Sequence, residues 1–412
     1  MKIYFLTSII VLLTIGNSCT NVQDFSIVPL EKPVLAGQAF EFSLQENNAK
    51  GHRIKWDMGD STTATGTSVN HVYSKPGIYH VSVYLDKECG YVKQSSLIIR
   101  VHTPETLKLP QVYLDTDARC EADDQHFIAY CLYSELDVLG INSIHNDEVG
   151  SEAINYGEII NIMKLMNRSG EAWDLMPVNR VFHGAAEKLT PPSSGIWSDT
   201  EPIVTEGSEA IIAAARGASP DNPLLVLPVG PCTNIASAVL QARKEGFELR
   251  DRIRVIWLGG LEKGYSKEYN GGNDPWSVYV MGQSGIDLQI LLGHPTSLKL
   301  NIDKRIESGL YPDNELGDYL KTIIPVFQWG STTVLKSIHD VCVPATVISN
   351  YKGFNWVTKV APVKVSGPDN GYLWQEADST STVYLIWDID GEAMKADLFN
   401  TLNGHPTNLI KR

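Results

Sequence analysis

The chain has 412 residues, 43% of them hydrophobic and 20% charged, which suits a globular protein with a sizeable core and is long for a single domain. Lys and Arg number 34 against 48 Asp and Glu, a formal charge of −14, and no basic stripe overrides that total. Nucleic acid and other polyanions are therefore excluded as expected partners.

In chain order, residues 1–19 carry Lys2, an apolar run from Ile3 to Ile15, and then Gly16-Asn17-Ser18-Cys19. The run is short for a bilayer span and reads as an export signal. The small residue before Cys19 resembles the lipobox of bacterial lipoproteins, although Gly16 stands where a leucine-like residue is commoner. That resemblance implies lipidation at Cys19 and a lipid-anchored place in the cell envelope, in the periplasm or on the outer-membrane surface. The other cysteines, Cys89, Cys120, Cys131, Cys232 and Cys342, show no CxxC spacing, so neither a disulfide framework nor a zinc site is expected.

After a polar tether at residues 20–24, residues 25–103 alternate apolar and polar positions between turn signals, the pattern of a small all-β sandwich. Tyr79, Val81, Val83 and Leu85 are expected on one face. The segments Trp56-Asp57-Met58-Gly59-Asp60, His71-Val72-Tyr73 and Pro76-Gly77-Ile78-Tyr79 resemble the PKD type of immunoglobulin-like domain. Two roles stay open for such a module: a spacer that lifts the next domain off a membrane, or a face that contacts glycan or protein.

From residue 104 to 412 short β-rich runs alternate with longer helical patterns, which predicts an α/β domain with an open, mostly parallel, Rossmann-like sheet and helices on both faces. Strands are expected at about 111–115, 136–144, 178–182, 223–229, 252–258 and 287–292, with helices at 124–134, 151–168, 206–217, 233–245 and 275–284. Neither GxGxxG after the first strand nor GxxxxGK[ST] is present, so dinucleotides and nucleoside triphosphates are not favoured.

The first strand runs into Asp115-Thr116-Asp117-Ala118-Arg119-Cys120-Glu121-Ala122-Asp123-Asp124. Carboxylates this dense repel one another and call for a cation, arginine or N–H groups in compensation. A hard divalent metal is one solution, because it takes several oxygen ligands; a solvated turn capping the next helix is the other. Ligands of open α/β sheets bind beyond the carboxyl ends of the strands. There the chain places His145-Asn146-Asp147, His183-Gly184-Ala185, Val229-Gly230-Pro231-Cys232-Thr233-Asn234, Gly259-Gly260 and Glu268 to Pro275.

The order of these segments resembles the inosine–uridine-type nucleoside hydrolase family over residues 110–410. The acidic turn stands where that family has D-x-D-P-G-x-D-D. Gly230 to Ala236 is similar to G-P-L-T-N-I-A, and Glu268-Tyr269-Asn270 with Asp274-Pro275 to E-F-N-x-x-x-D-P. His339-Asp340 is similar to the late H-D pair, and Trp387-Asp388-Ile389-Asp390-Gly391 to the terminal strand.

The resemblance implies calcium held by Asp117, Asp124, Asp340 and the backbone carbonyl of Val229. Asp117 would also be the base toward calcium-bound water, Asp123, Asn146, Glu268 and Asn270 would hold ribose hydroxyls, and His339 would lie near the leaving base. The implied activity is calcium-dependent hydrolysis of ribonucleosides to ribose and free base. The alternatives are a non-catalytic, surface-anchored sugar- or glycan-binding protein on the same scaffold, and hydrolysis of another riboside. The resemblance favours homo-oligomers, which the N-terminal module and anchor would limit. In one departure, the acidic turn lacks Pro-Gly and is two residues longer than the motif, with Arg119 available to neutralise part of the cluster. Cys120 is not expected to be a nucleophile, because no motif places a histidine beside it.

Overall fold

A computed structural model describes residues 27–28, 34–44, 53–75, 77–87, 90–103, 111–134, 136–168, 180–260, 268–324, 335–365, 367 and 374–404. The export signal with Cys19, the tether, Cys89 and positions 178–179 of the expected third strand lie outside the described residues. Two compact units divide between Val101 and His102.

In the first unit, Val34–Leu35, Gly90–His102, Gly77–Lys87, Ile54–Asp57 and Thr63–Thr65 make one sheet in that spatial order, and Ala39–Ser43 pairs with Ser68–Val72 in a second. The period-two alternation buries Val81, Val83 and Leu85, with Tyr79 half-buried against them, in a core built on Phe42, Trp56, Met58 and Tyr73. The polar tips of the two large aromatics are satisfied inside this core: Trp56 Nε1 donates to the Gly66 carbonyl at 2.8 Å and the Tyr73 hydroxyl to the Met58 carbonyl at 2.8 Å.

In the second unit nine strands form one sheet, in the order Val181–Phe182, Asp137–Ser143, Gln111–Thr116, Leu224–Pro228, Ile253–Leu258, Asp287–Leu291, Val383–Ile389, Val357–Val365 and Trp374–Glu376. Neighbours are parallel through Val383–Ile389, and the last two strands run antiparallel. Leu224–Pro228 is buried at every residue, as a strand covered on both faces must be. Its alternate side chains feed different cores: Leu227, with Leu114 and Ile256, meets the helices Asp123–Tyr133, Ser151–Arg168, Cys342–Lys352 and Gly391–Leu402. Val226, with Tyr113 and Val255, meets Glu206–Ala215, Thr233–Lys244 and Pro275–Gln283.

The six expected strands and five expected helices are all present, and the antiparallel edge is an addition. Pro362 argues against a strand at Val357–Val365, since it has no N–H to give a ladder. Pro362 is nonetheless in register with Tyr384, and on the side of the last strand, which pairs with Val363 to Val365, it has only to accept, its carbonyl taking the Ala377 amide at 3.3 Å.

The chain leaves Gln111–Thr116 outward through Asp137–Ser143 to Val181–Phe182 and returns to Leu224–Pro228 on the other side of its first strand. This is a topological switch point, and it opens a crevice at the carboxyl ends of those two central strands. Asp117 follows one of them and Val229 the other.

Candidate active site

A cavity of about 350 Å³ lies in that crevice, walled by the acidic turn, Val229, the segment Glu268 to Asn270, Gly293-His294 and His339-Asp340. Beneath it a buried amide network ties the strand ends together. Asp115 Oδ2 accepts from Asn142 Nδ2 at 3.2 Å and from Asn234 Nδ2 at 2.8 Å, and burial pushes its carboxyl up to about 8. Asp115 is thus part of the floor and does not line the cavity. Thr233 donates to Asp274 Oδ2 at 2.6 Å, while Asp274 caps the helix Pro275–Gln283 through the Ser277 amide at 3.0 Å.

The longer turn is folded back on itself. The Cys120 amide donates to the Asp117 carbonyl at 2.7 Å, and the Arg119 amide to Asn155 Oδ1 at 3.1 Å. At Gly230 a Cβ would stand 2.7 Å from Asp117 Oδ1, so only glycine lets the neighbouring strand end come this close to the acid.

Asp117, Asp124 and Asp340 are each at most 4% exposed and share the cavity wall with Val229. Asp124 accepts from the Thr116 hydroxyl at 2.7 Å and the Glu121 amide at 3.3 Å, whereas Asp117 Oδ2 is buried without a hydrogen-bond partner. Burial, reinforced by the neighbouring acids, raises the carboxyls of Asp117 and Asp340 well above the usual range and that of Asp124 to about 7. Oxygens of Asp123, Asp124 and Asp340 approach within 4.8 Å of one another. An orphaned carboxylate oxygen and an all-oxygen donor set of buried, mutually repelling acids fit a hard divalent cation.

The residues expected to grip ribose are placed differently from one another. Asp123 lies in the cavity wall, its Oδ2 accepting from the His339 amide at 3.1 Å. Glu268 also lines it, yet its two oxygens cap the turn Tyr269–Asn273 by accepting from the Asn270 amide at 2.9 Å and the Gly271 amide at 2.6 Å, and burial lifts its carboxyl to about 7. Asn270 donates both amide hydrogens, to Val229 and Leu258 carbonyls, which leaves Oδ1 as an acceptor. Asn146 is not among the lining residues. Its side chain accepts from the Glu148 amide at 3.4 Å, and only its carbonyl reaches the rim, where the Tyr269 hydroxyl donates to it at 3.4 Å.

His339 lines the cavity with its Nδ1 2.7 Å from Ser297 Oγ. The single Ser297 proton goes to the Gly293 carbonyl at 2.7 Å, so the hydroxyl accepts from Nδ1–H and the neutral ring keeps Nε2 as an acceptor. Burial lowers its pKa to about 4, which keeps that neutral form at pH 7.

Several lining groups had no assignment from sequence: Tyr269, Gly293, His294, and Ser297 behind His339. Lys336 is the cation among the carboxylates, paired with Glu121 and 3.3 Å from Asp123 Oδ1. Arg119, which sequence made available to neutralise part of the cluster, points to Glu158 at 3.9 Å from the half-exposed side of the turn. Cys120 lines the cavity, but burial and the Asp117 and Asp124 charges push its thiol far up, the opposite of what an activated nucleophile needs.

Residues 112–396 match the family model described as inosine-uridine preferring nucleoside hydrolase, and residues 29–101 match the PKD domain. No curated protein matches the chain. Among solved structures it is similar to a purine-preferring ribonucleoside hydrolase from Gardnerella vaginalis, at 18% identity over 73% of this chain and 100% of that one with a TM-score of 0.56. A plant nucleoside hydrolase aligns at 18% identity over 71% of this chain and 99% of its own, TM-score 0.53. An inosine-guanosine nucleoside hydrolase aligns at 14% over 73% and 99%, TM-score 0.54. At these identities the likeness is one of fold, while the family model spans well over half of the 412 residues. The chain belongs to the inosine-uridine preferring nucleoside hydrolase family, an N-glycosyl hydrolase preceded by a PKD domain.

Proposed function

We propose that the protein hydrolyses the N-glycosidic bond of ribonucleosides to ribose and free base in a calcium-dependent reaction. The observation that carries the reading is the convergence on one cavity of Asp117, Asp124, Asp340 and the end of the strand at Val229, with Asp117 Oδ2 unpaired. Calcium, when bound by these oxygens, supplies a water that is easier to deprotonate and fixed in direction. Asp117 takes a proton through the carboxylate oxygen that does not hold the cation. Asn270 Oδ1 and Asp123 accept from ribose hydroxyls, and the acids around the sugar stabilise the positive charge that develops as the bond to the base breaks. His339, neutral and held by Ser297, contacts the departing base through Nε2. Release of reducing sugar from a panel of purine and pyrimidine ribonucleosides, with and without a calcium chelator, tests this. Turnover of no riboside at any pH would sink it, and turnover indifferent to the chelator would remove the metal.

We propose further that residues 1–19 direct export and that a lipid on Cys19 anchors the protein in the cell envelope, with residues 25–103 serving as a spacer in the chain between that anchor and the enzyme domain, residues 104–412.

A further inference from the structure

The extra length of the acidic turn brings Glu121 to the cavity wall, and Lys336, 215 positions later on the strand Leu335–Ser337, reaches between it and Asp123. The ammonium pairs with the Glu121 carboxylate and stands 3.3 Å from Asp123 Oδ1; the Lys336 side chain is 8% exposed and that of Asp123 4%. Asp123 Oδ1 has no hydrogen-bond partner and meets the ammonium as an ion pair; the Lys336 and Asp123 charges are both desolvated, so parting them is costly, whereas the Glu121 side chain is one-third exposed. The other oxygen of Asp123 takes the His339 amide at 3.1 Å. Yet Asp123 also stands in the group with Asp124 and Asp340 whose oxygens come within 4.8 Å of one another, a cation site of three acids if distance alone decided.

We infer that Lys336 is a positioning residue, a built-in counter-ion that with Glu121 keeps Asp123 out of the divalent-cation site and reserves it for the sugar end of the cavity. The inference rests on the metal-dependent reading above and deepens it, since it names the carboxylates that the cation meets: Asp117, Asp124 and Asp340, but not Asp123. The lengthened turn and the lysine then form one device. Without the ammonium, Asp123 would have a divalent cation as its nearest source of compensating charge.

Calcium titration by calorimetry on the metal-free protein tests this with a double-mutant cycle. Lys336→Met should bind calcium about tenfold more tightly than wild type, as expected when a charged oxygen ligand joins such a site. Asp123→Asn alone should leave the affinity within about threefold of wild type, since that residue is not a ligand while the lysine holds it. The double variant should lose the gain. A gain that persists in the double variant, or an Asp123→Asn loss as large as that of Asp124→Asn, would overturn the inference. So would calcium binding by wild type with no gain in Lys336→Met. Absence of binding in wild type and every variant would overturn the metal reading itself and this inference with it. Should Lys336→Met not melt cooperatively, Lys336→Gln, which keeps a polar side chain without the charge, carries the same expectations.

Discussion

The Asn270 side-chain amide donates to the carbonyl of Val229 at 2.7 Å and to that of Leu258 at 3.0 Å. One residue of the Glu268-Tyr269-Asn270 segment therefore ties together the ends of two adjacent strands, one of which carries the main-chain oxygen assigned to the metal. The cavity wall is held by this side chain as much as by the sheet.

Asn270→Ala would leave both carbonyls buried and unpaired, at a cost of about 1–3 kcal/mol each before relaxation. The variant should unfold at lower denaturant with unchanged m, and its calcium affinity should fall because Val229 is no longer held in place. Equal midpoints for variant and wild type in chemical denaturation would contradict the assignment.

The acids of the cavity repel one another in the absence of a cation. Asp124→Ala or Asp340→Ala should cut calcium affinity sharply while raising the metal-free melting temperature, because each removes a buried carboxylate that its neighbours destabilise. Thermal melts with and without calcium read both effects at once. A variant whose melting still rises with calcium as much as wild type would refute its place as a ligand.

His126, fully buried in the helix Asp123–Tyr133, sits with Nδ1 2.6 Å from the Ala122 carbonyl and Nε2 2.8 Å from the Tyr311 hydroxyl. Burial lowers its pKa from 6.5 to about 4. Between those values the unfolded chain binds a proton that the native state does not, so stability falls as pH drops from about 6.5 towards 4, by up to about 1.4 kcal/mol per pH unit from this group. His126→Gln should be less stable at pH 7 but show a correspondingly shallower decline through that window. Parallel stability curves from pH 7 to pH 4 would show that His126 does not titrate in this way.

Cys19→Ser tests the proposed anchor. Stable attachment needs about two acyl chains, so loss of the acceptor thiol should move the protein almost entirely into the soluble fraction with its melting curve unchanged. Retention in the membrane fraction would point to another means of attachment.

Local pattern was enough for the elements that pack by period. The short apolar-rich runs at 111–115, 223–229 and 252–258, alternating with helical patterns, argued for parallel strands covered by helices, and the polar, glycine-rich segments after them marked the end of the sheet at which ligands of such folds bind. The order of the motifs then identified the family. What remained hidden depends on contacts between distant positions. Nothing near Lys336 in sequence shows that it meets Glu121 and Asp123, and Arg119 stood closer to the acids along the chain but faces Glu158 in the fold. Ser297, which sets the tautomer of His339, lies 42 positions away from it. Of four aspartates in one turn, Asp115 became scaffold because Asn142 and Asn234 converge on one of its oxygens, whereas Asp117 lines the cavity. Periodicity is a property of neighbouring residues and survives in a string of letters. The partner of a buried charge is chosen by which strand ends the sheet brings together, and only the tertiary structure makes that choice.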